Sequence, residues 1–344
     1  MNILYLSCHI VLEYDELRIL NDLGHKVCVI GGYIIPKNPH NDTRPPLNIE
    51  HNQDWVNEHN IISNNNHLNG LPPTLCGKKL TKEFVDKFDC VIVMHIQDWI
   101  EENLDIFKGK LVILRTIGQN LSNNEHSLKK YMKLGIKVLR YSPRERLLSG
   151  YAGEHGLIRF LKYEFDFKPR QLELNGNVIT FGQSIKQRGK FCASEYVEEI
   201  SKRVNYKLYG PGNQDYIFNG GRVVYDELLN ILSRSAAYFY TGTFPAQYTL
   251  NFIEAMMAGI PVVSVGRNTK DVFVHEFPFE VPDILDTIDS LYGESVDEIV
   301  NKCNKLLNDM DYNNEISKKQ KIVASELFSS ERNMWQWNSF FNSL

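Results

Sequence analysis

The stretch Tyr240-Thr241-Gly242-Thr243-Phe244-Pro245-Ala246-Gln247-Tyr248-Thr249-Leu250-Asn251-Phe252-Ile253-Glu254-Ala255-Met256-Met257-Ala258-Gly259-Ile260-Pro261-Val262-Val263 constrains this chain more than any other. It reads as a strand, a loop, a short helix with a sharp stop, and a second strand. Gly259 suits the left-handed position that ends a helix, and Pro261 keeps the helix from resuming. Val262, Val263 and Val265 form the apolar run expected of a strand covered on both faces. A strand–helix–strand unit of this kind belongs in a parallel sheet. The N–H groups of Thr249, Leu250 and Asn251, just after Tyr248, are expected to point out of the helix start, a natural seat for a phosphate. Glu254 places a carboxylate a few residues from that seat. A second reading stays open, because Asn251-x-x-Glu254 also fits a capping box in which Glu254 only satisfies backbone donors.

The rest of the chain alternates in the same way. Asn2 to Ser7 reads as a strand, Glu13 to Leu23 as a helix closed by Gly24, and Lys26 to Ile30 as a second strand. The loop after the first strand, Cys8-His9-Ile10, has no glycine, so the dinucleotide fingerprint is missing where it would be required. Residues 36–79 turn to Asn, His and Pro and read as an insertion or long loop, with a short helix near Trp55. Either an acceptor site or a plain surface loop fits that composition. A helix near 81–88 and strands at 90–95, 111–116 and 136–141 follow. His9 and His95 both stand at strand ends, where sites gather in α/β sheets, and either could orient a ligand or take a proton. An ordinary structural role is open for each.

A polar break from Lys168-Pro169-Arg170 to Asn175-Gly176 marks the expected division between two domains, 1–168 and 169–328. The second repeats the α/β pattern: strand 178–182, helix 191–204, strand 206–209 into Gly210-Pro211-Gly212, helix 226–234 and strand 236–241. Helices at 296–308 and 314–327 close it. The last segment, 329–344, starts with Ser329-Ser330-Glu331 and sets Met334, Trp337 and Phe341 on one helical face.

At 344 residues the chain is long enough for two full cores, and 43% hydrophobic with 23% charged residues is an ordinary globular composition. A net charge of −4 gives no general case for nucleic acid or an anionic membrane. One diluted basic stretch, Lys129, Lys130, Lys133, Lys137, Arg140, Arg144 and Arg146, would face an anionic acceptor, make peripheral contact with a membrane, or form a solvated face. Six cysteines without C-x-x-C spacing imply neither a zinc framework nor a disulfide scaffold and fit a reducing compartment. No basic leader precedes the first strand, and no apolar run approaches the roughly 20 residues that span a bilayer, so a cytoplasmic location is expected. His95-x-x-Asp98 supplies too few ligands for a metal, and none is expected.

The segment from Glu254 to Val263 resembles the donor-site motif of the GT-B glycosyltransferases, in particular the retaining group related to glycogen and sucrose synthases. The family pattern is Glu, seven residues, then Glu-Ala-Met-Ala-x-Gly-x-Pro-Val-Val. The second half matches here, while Ala246 stands where the family has its first acid, which contacts the transferred sugar. The resemblance implies two Rossmann-like parallel-sheet domains facing a central cleft, with the last helix crossing back to the N-terminal domain. It implies a UDP- or GDP-linked sugar donor in the C-terminal domain, transfer with retention, and no metal or cofactor. Glu254 would hold the ribose hydroxyls. Phe181-Gly182-Gln183-Ser184-Ile185-Lys186-Gln187-Arg188-Gly189 is similar to the family's diphosphate loop. Arg188 takes the place of its second cation, Gln183 replaces the first, and Lys186 is available to compensate. Gly210 and Gly212 resemble the next loop, whose glycines allow close approach to the nucleotide, and Val224 lies where the family's backbone touches the base.

The candidate catalytic residues are thus His9, His95 and Glu254. The donor-binding candidates are Gln183, Lys186, Arg188, Gly210, Gly212, Val224, Tyr248, Thr249, Leu250, Asn251 and Glu254. The family's strand-end histidine is missing from Leu111–Gln119. A glycan, a lipid-linked sugar, a small molecule, a protein and a modified nucleobase all remain compatible as acceptor. Two other readings stand beside transfer. One is a catalytically silent nucleotide-sugar-binding partner, which Ala246 favours. The other is a sugar-nucleotide epimerase on the same fold, whose paired acids and extra histidine have no match here.

Overall fold

The computed structural model describes residues 1–31, 44, 45, 47, 62–63, 75–76, 80–172, 176–267 and 278–344. Most of the 36–79 segment, with the helix expected near Trp55, lies outside the described residues. Within it Ile62–Ser63 pairs antiparallel with Leu75–Cys76. The chain divides into two compact units, Met1–Phe160 with Asn333–Leu344, and Leu161–Arg332.

The first unit is built on β1 (Asn2–Leu6), α1 (Ile10–Asp22), β2 (Lys26–Ile30), β3 (Cys90–Met94), β4 (Leu111–Arg115), α2 (Ser122–Lys133), β5 (Lys137–Arg140) and β6 (Gly156–Leu157). The strands form one parallel sheet in the order β2-β1-β3-β4-β5-β6. Every residue of β3 is buried, as a strand covered on both faces requires. The chain leaves β1 toward β2 and returns on the other side of β1 to make β3. The loops after β1 and β3 therefore part at this point, the place where open α/β sheets gather their binding sites. The sequence reading missed α2, whose Lys-rich outer face masks a narrow apolar stripe, with Leu128 and Tyr131 buried.

The basic stretch around α2 is partly paired with acids. Arg140 is fully buried between Glu125 (2.7 Å) and Glu145 (3.3 Å), Lys130 pairs with Glu101 (2.6 Å), and Arg146 pairs with Glu154. Lys129 and Lys133 stay exposed on α2, so part of the stretch is the solvated face that its diluted charge suggests.

The second unit contains β7 (Val178–Phe181), α3 (Ser194–Ser201), β8 (Tyr206–Tyr209), β9 (Asn219–Gly221), α4 (Tyr225–Arg234), β10 (Ala237–Tyr240), α5 (Leu250–Ala258), β11 (Val262–Val265), β12 (Tyr292–Gly293), α6 (Val296–Asn308) and α7 (Met310–Phe328). Its parallel sheet runs β9-β8-β7-β10-β11-β12. The switch point falls between β7 and β10, so the loops after these two strands part at their carboxyl ends. Gly259 ends α5 at φ 75°, in the left-handed region expected of it.

The final helix, α8 (Ser330–Asn342), carries the chain from the second unit into the first. Trp337 is fully buried, the Arg115 guanidinium lies 6.0 Å from its ring, and Asn333 Nδ2 donates to the Arg159 carbonyl at 2.6 Å. The division between units at Phe160/Leu161 lies upstream of the polar break read from composition. The reason is Arg170. Its guanidinium donates to the carbonyl of Ser235 at the end of α4 and to Asn313 Oδ1 at 3.1 Å, so this polar segment is bound into the second unit. Among the described residues, no helix is long and apolar enough to cross a membrane.

Candidate functional site

The loop after β7 and the loop after β8 are bound together. Ser184 N–H donates to the Pro211 carbonyl at 2.9 Å, and Ile185 N–H donates to Asn213 Oδ1 at 3.0 Å. Asn213 Nδ2 donates in turn to the carbonyls of Gly182 (2.7 Å) and Gly210 (3.0 Å). Gly210 has φ 127°, and a Cβ there would lie 2.2 Å from the Gly182 carbonyl oxygen. At Gly212, φ 76°, it would lie 2.2 Å from Ser184 Oγ. The two glycines are therefore required by the contact between loops, a more local reason than approach to a nucleotide. Asn213 was missed from sequence, where Gly-Pro-Gly-Asn reads only as a turn.

These contacts fix the single helical turn Ile185–Arg188. Arg188 is half-buried and forms no ion pair among the described residues. Its charge reaches Tyr240 at the end of β10. Burial raises the Tyr240 phenol far above its usual range, while Thr249 and the Arg188 charge pull the other way. Tyr240 Oη and Thr249 Oγ1 are 3.0 Å apart. Arg188 is thereby placed in electrostatic reach of the start of α5. Lys186 is exposed, with Nζ 5.9 Å from the Tyr216 ring centroid, and Gln183 is exposed as well. Val224 precedes α4 with its side chain 47% exposed.

Thr249 is the residue that precedes α5, but its hydroxyl does not cap the helix. It bonds instead to Tyr240 and to Asn251 Oδ1, while Asn251 Nδ2 donates to the Phe181 carbonyl at 2.6 Å. Asn251 Oδ1 also accepts the Phe252 N–H at 3.0 Å, so a side chain closes that one first-turn donor. The N–H groups of Leu250 and Asn251 are left without an acceptor among the described residues. Tyr248 is 1% exposed and packs against Phe328 at 5.4 Å, so only its backbone is available at this edge. Ala246 is also buried, its N–H bonded to the Thr243 carbonyl at 2.7 Å.

The position of the cap decides between the two readings of Glu254. With Thr249 as cap, the third helical residue is Phe252, and Glu254 lies two positions further in. It is out of register for a capping box. Its Oε1 lies 3.0 Å from Lys162 Nζ, and both side chains are buried. Lys162 gave no signal in the sequence. It comes from the segment that enters the unit, where its N–H donates to the Phe328 carbonyl at 2.9 Å and its backbone pairs with Ser329.

His9 and His95 flank the switch point of the first unit. His9 precedes α1, and its Nδ1 accepts the Leu12 N–H at 3.4 Å, a helix-cap role. His95 follows β3 with φ 62°, a strained value for a residue with a Cβ. Its Nδ1 is buried without a hydrogen-bond partner, and burial pushes its pKa down to about 4. A neutral imidazole so held is a weak base at neutral pH but a competent hydrogen-bonding group. Glu254 belongs to the other unit. Sequence reading also passed over three buried acids on α1, Glu13, Asp15 and Glu16; Glu16 pairs with Arg115 at 2.7 Å. Among the described residues, no group of three or more His, Cys, Asp or Glu could hold a metal ion.

No family model and no curated protein sequence matches this chain. Solved structures do. HepE of Anabaena in complex with UDP-glucose superposes with a TM-score of 0.63 over 100% of both chains at 13% identity. A glycosyltransferase from Rickettsia africae gives 0.65 over 99% of this chain and 98% of its own, at 11% identity. AviGT4, a glycosyltransferase involved in avilamycin A biosynthesis, gives 0.59 over 100% and 98%, also at 11%. With its two six-stranded parallel sheets, the chain has the GT-B fold.

Proposed function

We propose that this chain is a glycosyltransferase that takes a sugar from a UDP-linked donor held on its second unit. One observation carries the reading: at the switch point of that unit, the open N–H groups of Leu250 and Asn251, the cation of Arg188 and the carboxylate of Glu254 belong to one edge of one sheet. A nucleoside diphosphate needs this combination. The N–H dipoles and Arg188 would hold the diphosphate and stabilise the charge that builds on it as the sugar's anomeric carbon–oxygen bond breaks. Glu254 would accept hydrogen bonds from the ribose hydroxyls. UDP as the nucleotide follows from HepE, whose structures hold UDP-glucose and UDP.

The first unit is assigned to the acceptor, with His9 and His95 at its strand ends available to orient a sugar hydroxyl. Transfer with retention of anomeric configuration follows the resemblance at Glu254–Val263, and the anomeric coupling in the product's proton spectrum tests it. A cytoplasmic location is proposed, in keeping with the buried free thiols of Cys8, Cys28, Cys90, Cys192 and Cys303.

The test is UDP release from a panel of UDP-sugars, followed by chromatography. One sugar is expected to give release above background, reduced about 10²–10³-fold by Arg188→Ala, the scale for removing one preorganised charge-stabilising donor. Tight UDP binding without release from any sugar, even with candidate acceptors added, would contradict transfer. It would support a silent nucleotide-sugar-binding protein, the reading that Ala246 favours.

A further inference from the structure

Lys162, the buried partner of Glu254, lies outside any motif that led to the site. Glu254 sits in the second turn of α5, with its side chain 7% exposed and Oε1 3.0 Å from Lys162 Nζ, which is 4% exposed. A carboxylate this withdrawn from water is costly to keep ionised unless a cation accompanies it. An ionised carboxylate is also the better acceptor for two hydroxyl donors. The lysine is itself anchored. Its N–H bonds to the Phe328 carbonyl at 2.9 Å, and its backbone runs parallel beside Ser329, just beyond the last turn of α7. The ammonium is thus delivered from fixed backbone to one oxygen of Glu254.

We propose that Lys162 is a positioning residue for nucleotide recognition: it keeps Glu254 ionised and fixes the carboxylate so that the ribose 2′- and 3′-hydroxyls can donate to it. The inference rests on the donor reading of Glu254 given above. Its consequence is selective. Loss of Lys162 should weaken recognition of the ribose while leaving the diphosphate contacts at Arg188, Leu250 and Asn251 in place. A lysine that served stability alone would weaken all nucleotides alike.

The experiment is calorimetric titration of UDP and 2′-deoxy-UDP into wild type, Lys162→Arg, Lys162→Gln, Lys162→Met and Glu254→Ala, with folding checked by circular dichroism. Wild type is expected to prefer UDP by about tenfold, one good hydrogen bond to a charged group. Lys162→Met and Lys162→Gln should bring the ratio to within about twofold of unity, as Glu254→Ala does, and Lys162→Arg should keep most of it. If Lys162→Met does not fold, Lys162→Gln carries the same reading. An unchanged ratio in the folded lysine variants, with the ratio lost in Glu254→Ala, overturns the role of Lys162 alone. A wild-type ratio near unity overturns this inference together with the ribose role of Glu254.

Discussion

Asn213 holds Ile185 from the neighbouring loop: its Oδ1 accepts the Ile185 N–H at 3.0 Å while its Nδ2 bonds the carbonyls of Gly182 and Gly210. Asn213 is 1% exposed, so each of these backbone groups would lose its partner if the side chain were removed. Asn213→Ala should cost about 1–3 kcal/mol, read by urea unfolding. It should also weaken UDP binding, because Arg188 is placed by the turn that begins at Ile185. Wild-type affinity in a destabilised variant would show that Arg188 is placed independently of this network.

The two glycines of the adjoining loop should differ in sensitivity. At Gly210 the added Cβ meets a backbone carbonyl, whereas at Gly212 it meets the hydroxyl of Ser184, which can rotate away. Both have positive φ, so both substitutions carry backbone strain. Gly210→Ala should be the more destabilising and should reduce UDP affinity about tenfold or more. Gly212→Ala should retain more of both, and the reverse order would refute this account of the loops.

His95 gives a pH signature. Its folded pKa is lowered to about 4 from an ordinary value of 6.5. Between those values the unfolded chain binds the extra proton, so stability rises with pH across the window and is lost as pH falls through it. The effect is about 3 kcal/mol at most. His95→Gln should flatten stability against pH between about 4 and 6.5, measured by urea unfolding at each pH. An imidazole that titrates near 6.5 in the folded protein's proton spectrum would contradict the burial argument.

The Lys162–Glu254 pair should show the asymmetry of buried ion pairs. Lys162→Met alone leaves a buried carboxylate without its cation and should cost about 3–5 kcal/mol. Lys162→Met combined with Glu254→Met removes both charges and should be at least as stable as wild type in the same unfolding experiment. Additive losses in the double variant would show that the two charges do not stabilise each other.

Much of the architecture was legible because local signals agreed with one another. Gly259, Pro261 and the Val262–Val265 run fixed α5 and β11, and β8 and α6 fall where alternation and capping put them. The short edge strands β6, β9 and β12 were missed, since two or three residues carry no period. The polar break at 168–176 reads as a linker because polar composition marks exposed linkers, whereas Arg170 uses its polarity for part-buried hydrogen bonds within the second unit. Arg188 and Glu254 entered the candidate site from a local motif. Lys162 and Asn213 did not: their roles depend on partners 92 and 28 residues away, which no local window contains.

The most direct test of the central claim is calorimetric titration of UDP, GDP and ADP into wild type and Glu254→Ala. The account predicts selective micromolar binding of UDP, weakened at least tenfold in the variant. Binding indifferent to Glu254, or no binding of any of the three, would contradict it.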